Sequence, residues 1–307
     1  MRHLLSLILA LGLATTLSAQ CGGDAKPVTK PIVEKDIIGT AHAAGRFETL
    51  IAAVEAAGLT EALGGKGPFT VFAPTDAAFA RLPDGTVESL LKPENRGRLA
   101  EILKFHVVPG RVLADAAVKL DGAVTLQGQR LAISVGEGGV HVDGAKVVKT
   151  DVLARNGVIH VIDSVIMPET RNLVEVAAGA GTFKTLLAAA KAAGLAEVLA
   201  GPGPFTVFAP TDEAFAKLAP GTVESLLEPA NRERLAAILK YHVVSGRHHS
   251  DAVLAARSLK TLQGGAIAVS SSERGVRIGE AALTAADIDA SNAVIHVIDR
   301  VLLPPKH

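Results

Sequence analysis

The chain has 307 residues, 49% of them apolar and 20% charged, enough to build packed cores and too apolar for a disordered chain. Its 31 basic and 31 acidic side chains cancel, which leaves no electrostatic footprint for nucleic acid or an anionic membrane surface. Nine Phe, one Tyr and no Trp also argue against a base-stacking platform, so Ala, Val, Leu and Ile must fill the interior.

In chain order, Arg2 and His3 precede an apolar run from Leu4 to Leu17, followed by the small residues Ser18 and Ala19. That is the layout of a secretory leader, expected to occupy residues 1–19 and to be cleaved after Ala19. The run is too short to span a bilayer, and the rest of the chain has no uninterrupted apolar stretch of spanning length. The single cysteine, Cys21, excludes an intramolecular disulfide. Cys21-Gly22-Gly23 resembles a bacterial lipoprotein start, although Gln20 stands where Gly or Ala is expected. Lipidation of Cys21 and an unmodified thiol are both open. Residues 20–33, with Pro27 and Pro31, read as a tether.

Beyond the tether the sequence repeats itself. Gly67–Ala80 reads GPFTVFAPTDAAFA and Gly203–Ala216 reads GPFTVFAPTDEAFA, identical at thirteen of fourteen positions. The offset of 136 also relates Phe105-His106-Val107-Val108 to Tyr241-His242-Val243-Val244, and Val158–Asp163 to Val294–Asp299, without an insertion. A period this long is a duplicated domain rather than a solenoid unit. The expected domains cover 34–168 and 169–304, with a linker too short to act as a flexible spacer.

Within one copy, Phe47, Leu50, Ile51 and Val54 make a helical stripe stopped by Gly58. Phe69–Ala73 has the character of a buried strand, after which Thr75-Asp76 caps a short helix. Helices follow over Thr86–Leu91 and from Pro93 to Lys104. The remainder reads as strands at 123–126, 130–135, 140–142, 146–153 and 158–165. Asn156-Gly157 is predicted as the two-residue turn before the last strand, and Asn292-Ala293 as a turn of different type in the second copy. Helices first and strands later define an α+β domain with an antiparallel or mixed sheet.

TVFAPTD-x-AF, then [F/Y]-HVV, then N-[G/A]-VIHVID-x-V, in that order and present twice, resembles the fasciclin domain. The resemblance implies two tandem domains, each a β-sandwich wedge with helices packed on one side. It implies secreted or surface-anchored proteins associated with cell adhesion or matrix contact. It also points to the Tyr-His pair as partner-binding, which maps onto Tyr241 and His242 and, with the hydroxyl missing, onto Phe105 and His106. No Arg-Gly-Asp tripeptide is present.

The histidines His106, His160, His242 and His296 are expected to be core residues with satisfied ring nitrogens. His160 shares a strand face with Val158 and Ile162. Asp76 and Asp212 read as helix caps, and Asp163 and Asp299 as acceptors at the sheet edge. His248 and His249, beside Arg247 and Asp251, have no histidine opposite them in the first copy and read with Asp251 as a solvated loop or a weak metal site. Gly136–Gly139 reads as a hairpin turn and Gly179-Ala180-Gly181 as an interhelix loop, since neither continues into a phosphate-binding motif.

Motifs of zinc hydrolases, thiol redox proteins, serine hydrolases and P-loop NTPases are absent. The expectation is an exported, non-enzymatic adhesion protein with no cofactor or metal. Its partner is an extracellular protein or polysaccharide, and it meets a membrane only if Cys21 is lipidated. The alternatives are an envelope enzyme or accessory, and a small-ligand carrier with an apolar pocket between helices and sheet.

Overall fold

The computed structural model describes residues 34–136, 138–273 and 275–305; the expected leader, the whole expected tether (20–33) and Cys21 lie outside the described residues. The first copy opens with helices α1 (Ile37–Ala44), α2 (Glu48–Ala57) and α3 (Thr60–Gly64). Strand β1 (Phe69–Pro74) follows, then α4 (Asp76–Phe79), α5 (Thr86–Leu90), a 3₁₀ turn at Pro93–Asn95 and α6 (Arg96–Phe105). The chain continues through β2 (Val107–Pro109), α7 (Ala114–Ala117), β3 (Gly122–Val124), β4 (Arg130–Gly136), β5 (Gly139–Val142), β6 (Ala145–Ala154) and β7 (Gly157–Ile162).

The second copy repeats this order. Its helices are α8 (Leu173–Ala180), α9 (Lys184–Ala192), α10 (Ala196–Ala200), α11 (Asp212–Ala216), α12 (Thr222–Leu227), α13 (Arg232–Tyr241) and α14 (Ser250–Ala256). Its strands are β8 (Phe205–Pro210), β9 (Val243–Ser245), β10 (Ser258–Lys260), β11 (Ala266–Ser272), β12 (Gly275–Ile278), β13 (Ala281–Ala290) and β14 (Ala293–Ile298).

Each copy forms one mixed seven-stranded sheet, ordered β2-β1-β7-β6-β5-β4-β3 in the first and β9-β8-β14-β13-β12-β11-β10 in the second. β1 runs parallel to β7, with Phe72 opposite His160, and the other pairings are antiparallel. The sheet curls until its ends touch. Leu126 N donates to Val107 O at 2.7 Å, and Leu262 N to Val243 O at 2.7 Å. The result is a near-barrel with most of the helices on one side and α7 and α14 against the curl, as the α+β reading anticipates.

Strand alternation divides the interior in two. Val71, Ala73, Ile159 and Val161 face α1, α2 and α6, together with Leu50, Val54, Leu99 and Leu103. Phe72 and Ile162 face into the curl with Phe105, Val108, Leu131, Ile133 and Val142. Covered on both sides, β7 and β14 are buried along their whole length, which is why both read as continuous apolar runs.

The structure moves the expected turn by one residue. β6 pairs with β7 through Ala154 opposite Gly157, so the loop is Arg155-Asn156 and Gly157 opens the strand. The second copy closes at the same place, Ala290 opposite Ala293. Asn156 is kept for tertiary reasons. Its Oδ1 accepts from Ile37 N at 2.9 Å, and its Nδ2 donates to Leu63 O at 2.7 Å and Gly65 O at 2.9 Å. Asn292 makes the matching bonds to Leu173 N, Leu199 O and Gly201 O. One buried carboxamide thus ties the start of the first helix and the end of the third to the strand turn.

Candidate functional site

The four residues implied as partner contacts all lie inside the domains: Phe105 is 3% exposed, His106 2%, Tyr241 7% and His242 1%. Phe105 and Tyr241 end helices α6 and α13, and His106 and His242 cap them, so the [F/Y]-HVV motif enters a strand only at its first valine. The Tyr241 hydroxyl donates to Ala266 O at 3.0 Å within its own domain. Burial leaves partner contact by these side chains without support from the geometry.

The histidines hold backbone together. His106 Nδ1 faces Ile102 O at 2.8 Å, and its Nε2 accepts from Ile166 N at 3.3 Å. His242 does the same with Ile238 O at 2.8 Å and Leu302 N at 2.9 Å. An amide donating to Nε2 requires the neutral ring with its proton on Nδ1. Burial pushes both pKa values down from 6.5 to about 4, against the opposing pull of the carbonyl. His160 and His296 stack on Phe72 and Phe208 with centroids 5.5 Å apart. Their Nε2 atoms donate to Val112 O and His248 O, each at 2.8 Å.

Asp76 is a cap, but not of its own helix. Thr75 caps α4 by accepting from Ala78 N, whereas Asp76 reaches back to accept from Thr49 N at 2.8 Å and Glu48 N at 3.4 Å. It therefore caps α2, whose N-cap residue Phe47 has no side-chain acceptor. Asp212 serves α9 in the same way. Asp163 and Asp299 accept backbone amides from Lys146 and Ala282, at the sheet positions expected. Gly179 and Ala180 belong to α8 and only Gly181 lies beyond it, at φ 72° as its C-cap, while Gly136 and Gly139 pair across the β4–β5 hairpin.

The solvated-loop reading of His248-His249 is overturned at His249, which is 3% exposed and meets the first copy. Its Nε2 donates to Gly128 O at 3.1 Å, and its Nδ1 lies 3.6 Å from Asp287 Oδ1 without a hydrogen-bond partner. Around it, Arg130 of the first copy donates from its backbone N to Asp289 Oδ2 at 2.7 Å and from its guanidinium to Asp287 Oδ2 at 3.0 Å. Arg247 donates to Asp289 Oδ1 at 2.7 Å and to Ala290, Ser291 and Ala293 carbonyls. Beside this network, Gln129 exchanges two 2.8 Å bonds with the backbone of Glu169 in the linker.

The carboxylate of Asp287 is delivered by an irregularity of β13. Its φ is 59°, the pairing register shifts between Ala285 and Ile288, and its amide points at His296 Nδ1. Burial alone would raise its pKa, but His249 and Ser250 outweigh it and hold the carboxyl well below the usual range. Burial likewise opposes protonation of His249, yet the Asp287 carboxylate and the Gly128 carbonyl win and raise its pKa. An imidazolium there presents a donor from each nitrogen, whereas a neutral ring turns a bare acceptor toward a carboxylate.

Several of these junction residues differ between the two copies. Gln129-Arg130 aligns with Gly265-Ala266, Leu113 with His249 and Leu153 with Asp289, while Asp151 and Arg111 match Asp287 and Arg247. Leu113 and Leu153 remain about 40% exposed on the first copy. Sequence reasoning singled out the histidine pair but missed Gln129, Arg130, Asp287 and Asp289. The only signal available was that these positions are among the many mismatches between the repeats. Among the described residues, no group of three or more His, Cys, Asp or Glu side chains is gathered for a metal ion. No helix among them is long and apolar enough to cross a membrane.

With the fold in hand, comparison with known proteins agrees with the sequence motifs. The fasciclin-domain family model matches residues 45–168 and 181–304, and the chain belongs to that family. It is 48% identical over 163 residues to protein sll1483 of Synechocystis sp., covering 52% of this chain and 90% of that protein. It is 37% identical over 244 residues to the transforming growth factor-beta-induced protein ig-h3 of Sus scrofa, covering 78% of this chain but 35% of that one. Human periostin is 30% identical over 254 residues, covering 81% of this chain and 30% of its own. The chain thus spans about a third of these two animal relatives. A solved FAS1 domain pair from the insect cell adhesion molecule fasciclin I aligns at 18% identity and TM-score 0.43, covering 85% of this chain and 98% of that one.

Proposed function

We propose that the chain is an exported, non-enzymatic adhesion module that presents two fasciclin domains as one fixed pair to an extracellular protein or polysaccharide. The observation that carries this reading is the membership of both copies in the fasciclin-domain family. Export is supported by the leader-like N-terminus read from the sequence. The non-enzymatic reading is supported by the histidines, since the Nδ1 and Nε2 atoms of His106 and His242 are engaged with backbone.

The junction matters because two weak contacts gain avidity only in geometries that let both engage at once. A pair tied by Arg130, His249, Asp287 and Asp289 keeps one such geometry and avoids the entropy cost of ordering on binding. The test is binding of the chain to immobilised matrix proteins, polysaccharides and cells, beside an Arg130→Ala variant. Saturable binding that weakens in the variant supports the proposal; absence of binding to all three surfaces rejects it.

A further inference from the structure

The two cores are not equally filled, although the folds repeat. In the first copy the helical side of the sheet is one continuous apolar cluster running from α1 through α2 and α6. In the second it separates into a cluster on the sheet with α8 and another between α9 and α13. Between them lies a cavity of about 430 Å³, where the corresponding space in the first copy is about 20 Å³.

Part of the difference is legible residue by residue. The lining shared by the two sites differs at four positions: Ile37, Ile38, Ile51 and Val54 in the first, Leu173, Val174, Leu187 and Ala190 in the second. Val54 to Ala190 removes two methyl groups and Ile38 to Val174 one more, on helices facing the same sheet. At the mouth, Lys191 and Glu197 stand where the first copy has Glu55 and Glu61, so an acidic rim becomes one of mixed sign. The wall includes His242, yet both of its ring nitrogens are held by Ile238 O and Leu302 N. What enters past the rim must therefore be apolar, because a buried polar group would find no partner.

We infer that the second domain binds a single aliphatic chain ending in a carboxylate, a medium-chain fatty acid, with the chain between α8, α9 and the sheet and the carboxylate at Lys191. Apolar ligand sites fall in this size range. An engineered cavity of roughly 150 Å³ admits the six carbons of benzene, which scales to room for on the order of seventeen carbons here, more than a dodecyl chain needs. This site is independent of the adhesion reading, and a chain that binds no matrix still tests it.

The experiment is calorimetric titration of the whole chain with dodecanoate and with dodecanol. One dodecanoate per chain is expected, with a negative heat-capacity change from apolar burial. The combined variant Leu173→Ile, Val174→Ile, Leu187→Ile and Ala190→Val gives the second site the lining already packed in the first. It should unfold cooperatively and bind dodecanoate at least tenfold more weakly. Lys191→Glu changes only an exposed residue and should weaken dodecanoate severalfold while leaving dodecanol unchanged. No binding by the parent chain, two equivalent sites, or full affinity in the four-residue variant overturns the assignment. Indifference to Lys191→Glu overturns the carboxylate end of it.

Discussion

At the scale of single residues, this chain uses histidine in two opposite ways. His106 and His242 are buried as neutral rings with their pKa values lowered to about 4. The unfolded chain binds those protons near 6.5, so acid favours the unfolded state, and stability falls as pH drops from about 6.5 toward 4. The loss approaches about 3 kcal/mol per histidine at the acid end. Urea unfolding between pH 7 and pH 4 should show it, and His106→Gln should flatten the slope for the first domain. Asn156 is the other residue whose role is tertiary. Asn156→Ala strands Ile37 N and Leu63 O in the interior and removes the bond to Gly65 O, and should cost about 3 kcal/mol in the same assay. Sequence alone read the histidines as satisfied core residues because an apolar strand face leaves little else. It read Asn156 as a turn former, since a carboxamide's distant partners leave no local trace.

At the scale of elements, what was legible followed from periodicity. The stripe Phe47, Leu50, Ile51, Val54 marks α2, with Gly58 ending it at φ 71°, and the β-rich second half appears strand by strand near its predicted positions. α1 and α7 were missed for a common reason. α1 is eight residues containing Ile37, Ile38, Gly39 and Thr40, a run of weak helix formers. It is held by the Asp36 cap and by Asn156, not by propensity. α7 is one turn whose first amide is taken by Asp151 from β6. Short helices of this kind are specified by partners far along the chain. The same logic gives a prediction for α2, whose only side-chain cap comes from Asp76 across the fold. Asp76→Ala should destabilise the first domain by about 1 kcal/mol, and amide exchange at Glu48 and Thr49 should rise before any other change. If those amides stay protected, the cap is not what secures them.

At the scale of the whole molecule, the differences between the copies carry the information that their likeness conceals. An ungapped duplication predicts two superimposable folds, and the sheets repeat strand for strand. Among the many departures, two sets have a structural consequence described above, those at the junction and those in the lining of the second core. Neither could be assigned from sequence, because the junction joins Arg130 to Asp287 and Asp289, more than 150 residues away, and a cavity is a shortage of atoms rather than a motif. The junction has its own pH window. His249, with its pKa raised above 6.5, stabilises the pair fully below that value and loses its contribution as pH climbs through the raised value. Asp287, with its pKa depressed, contributes above its ordinary 3.8 and is lost only in stronger acid. The pair should therefore be held most firmly in mildly acid solution and loosen toward alkaline pH. His249→Leu should abolish that alkaline loosening by weakening the junction at every pH.

The most direct test of the fixed pair is the distance between spin labels on Glu94 and Glu233, one exposed residue in each domain, measured by pulsed electron paramagnetic resonance with Cys21 replaced. A single narrow distribution at pH 6, broadened at pH 9 and in Arg130→Ala, is the predicted result. A broad distribution in the parent chain at pH 6, unchanged by Arg130→Ala, would contradict it.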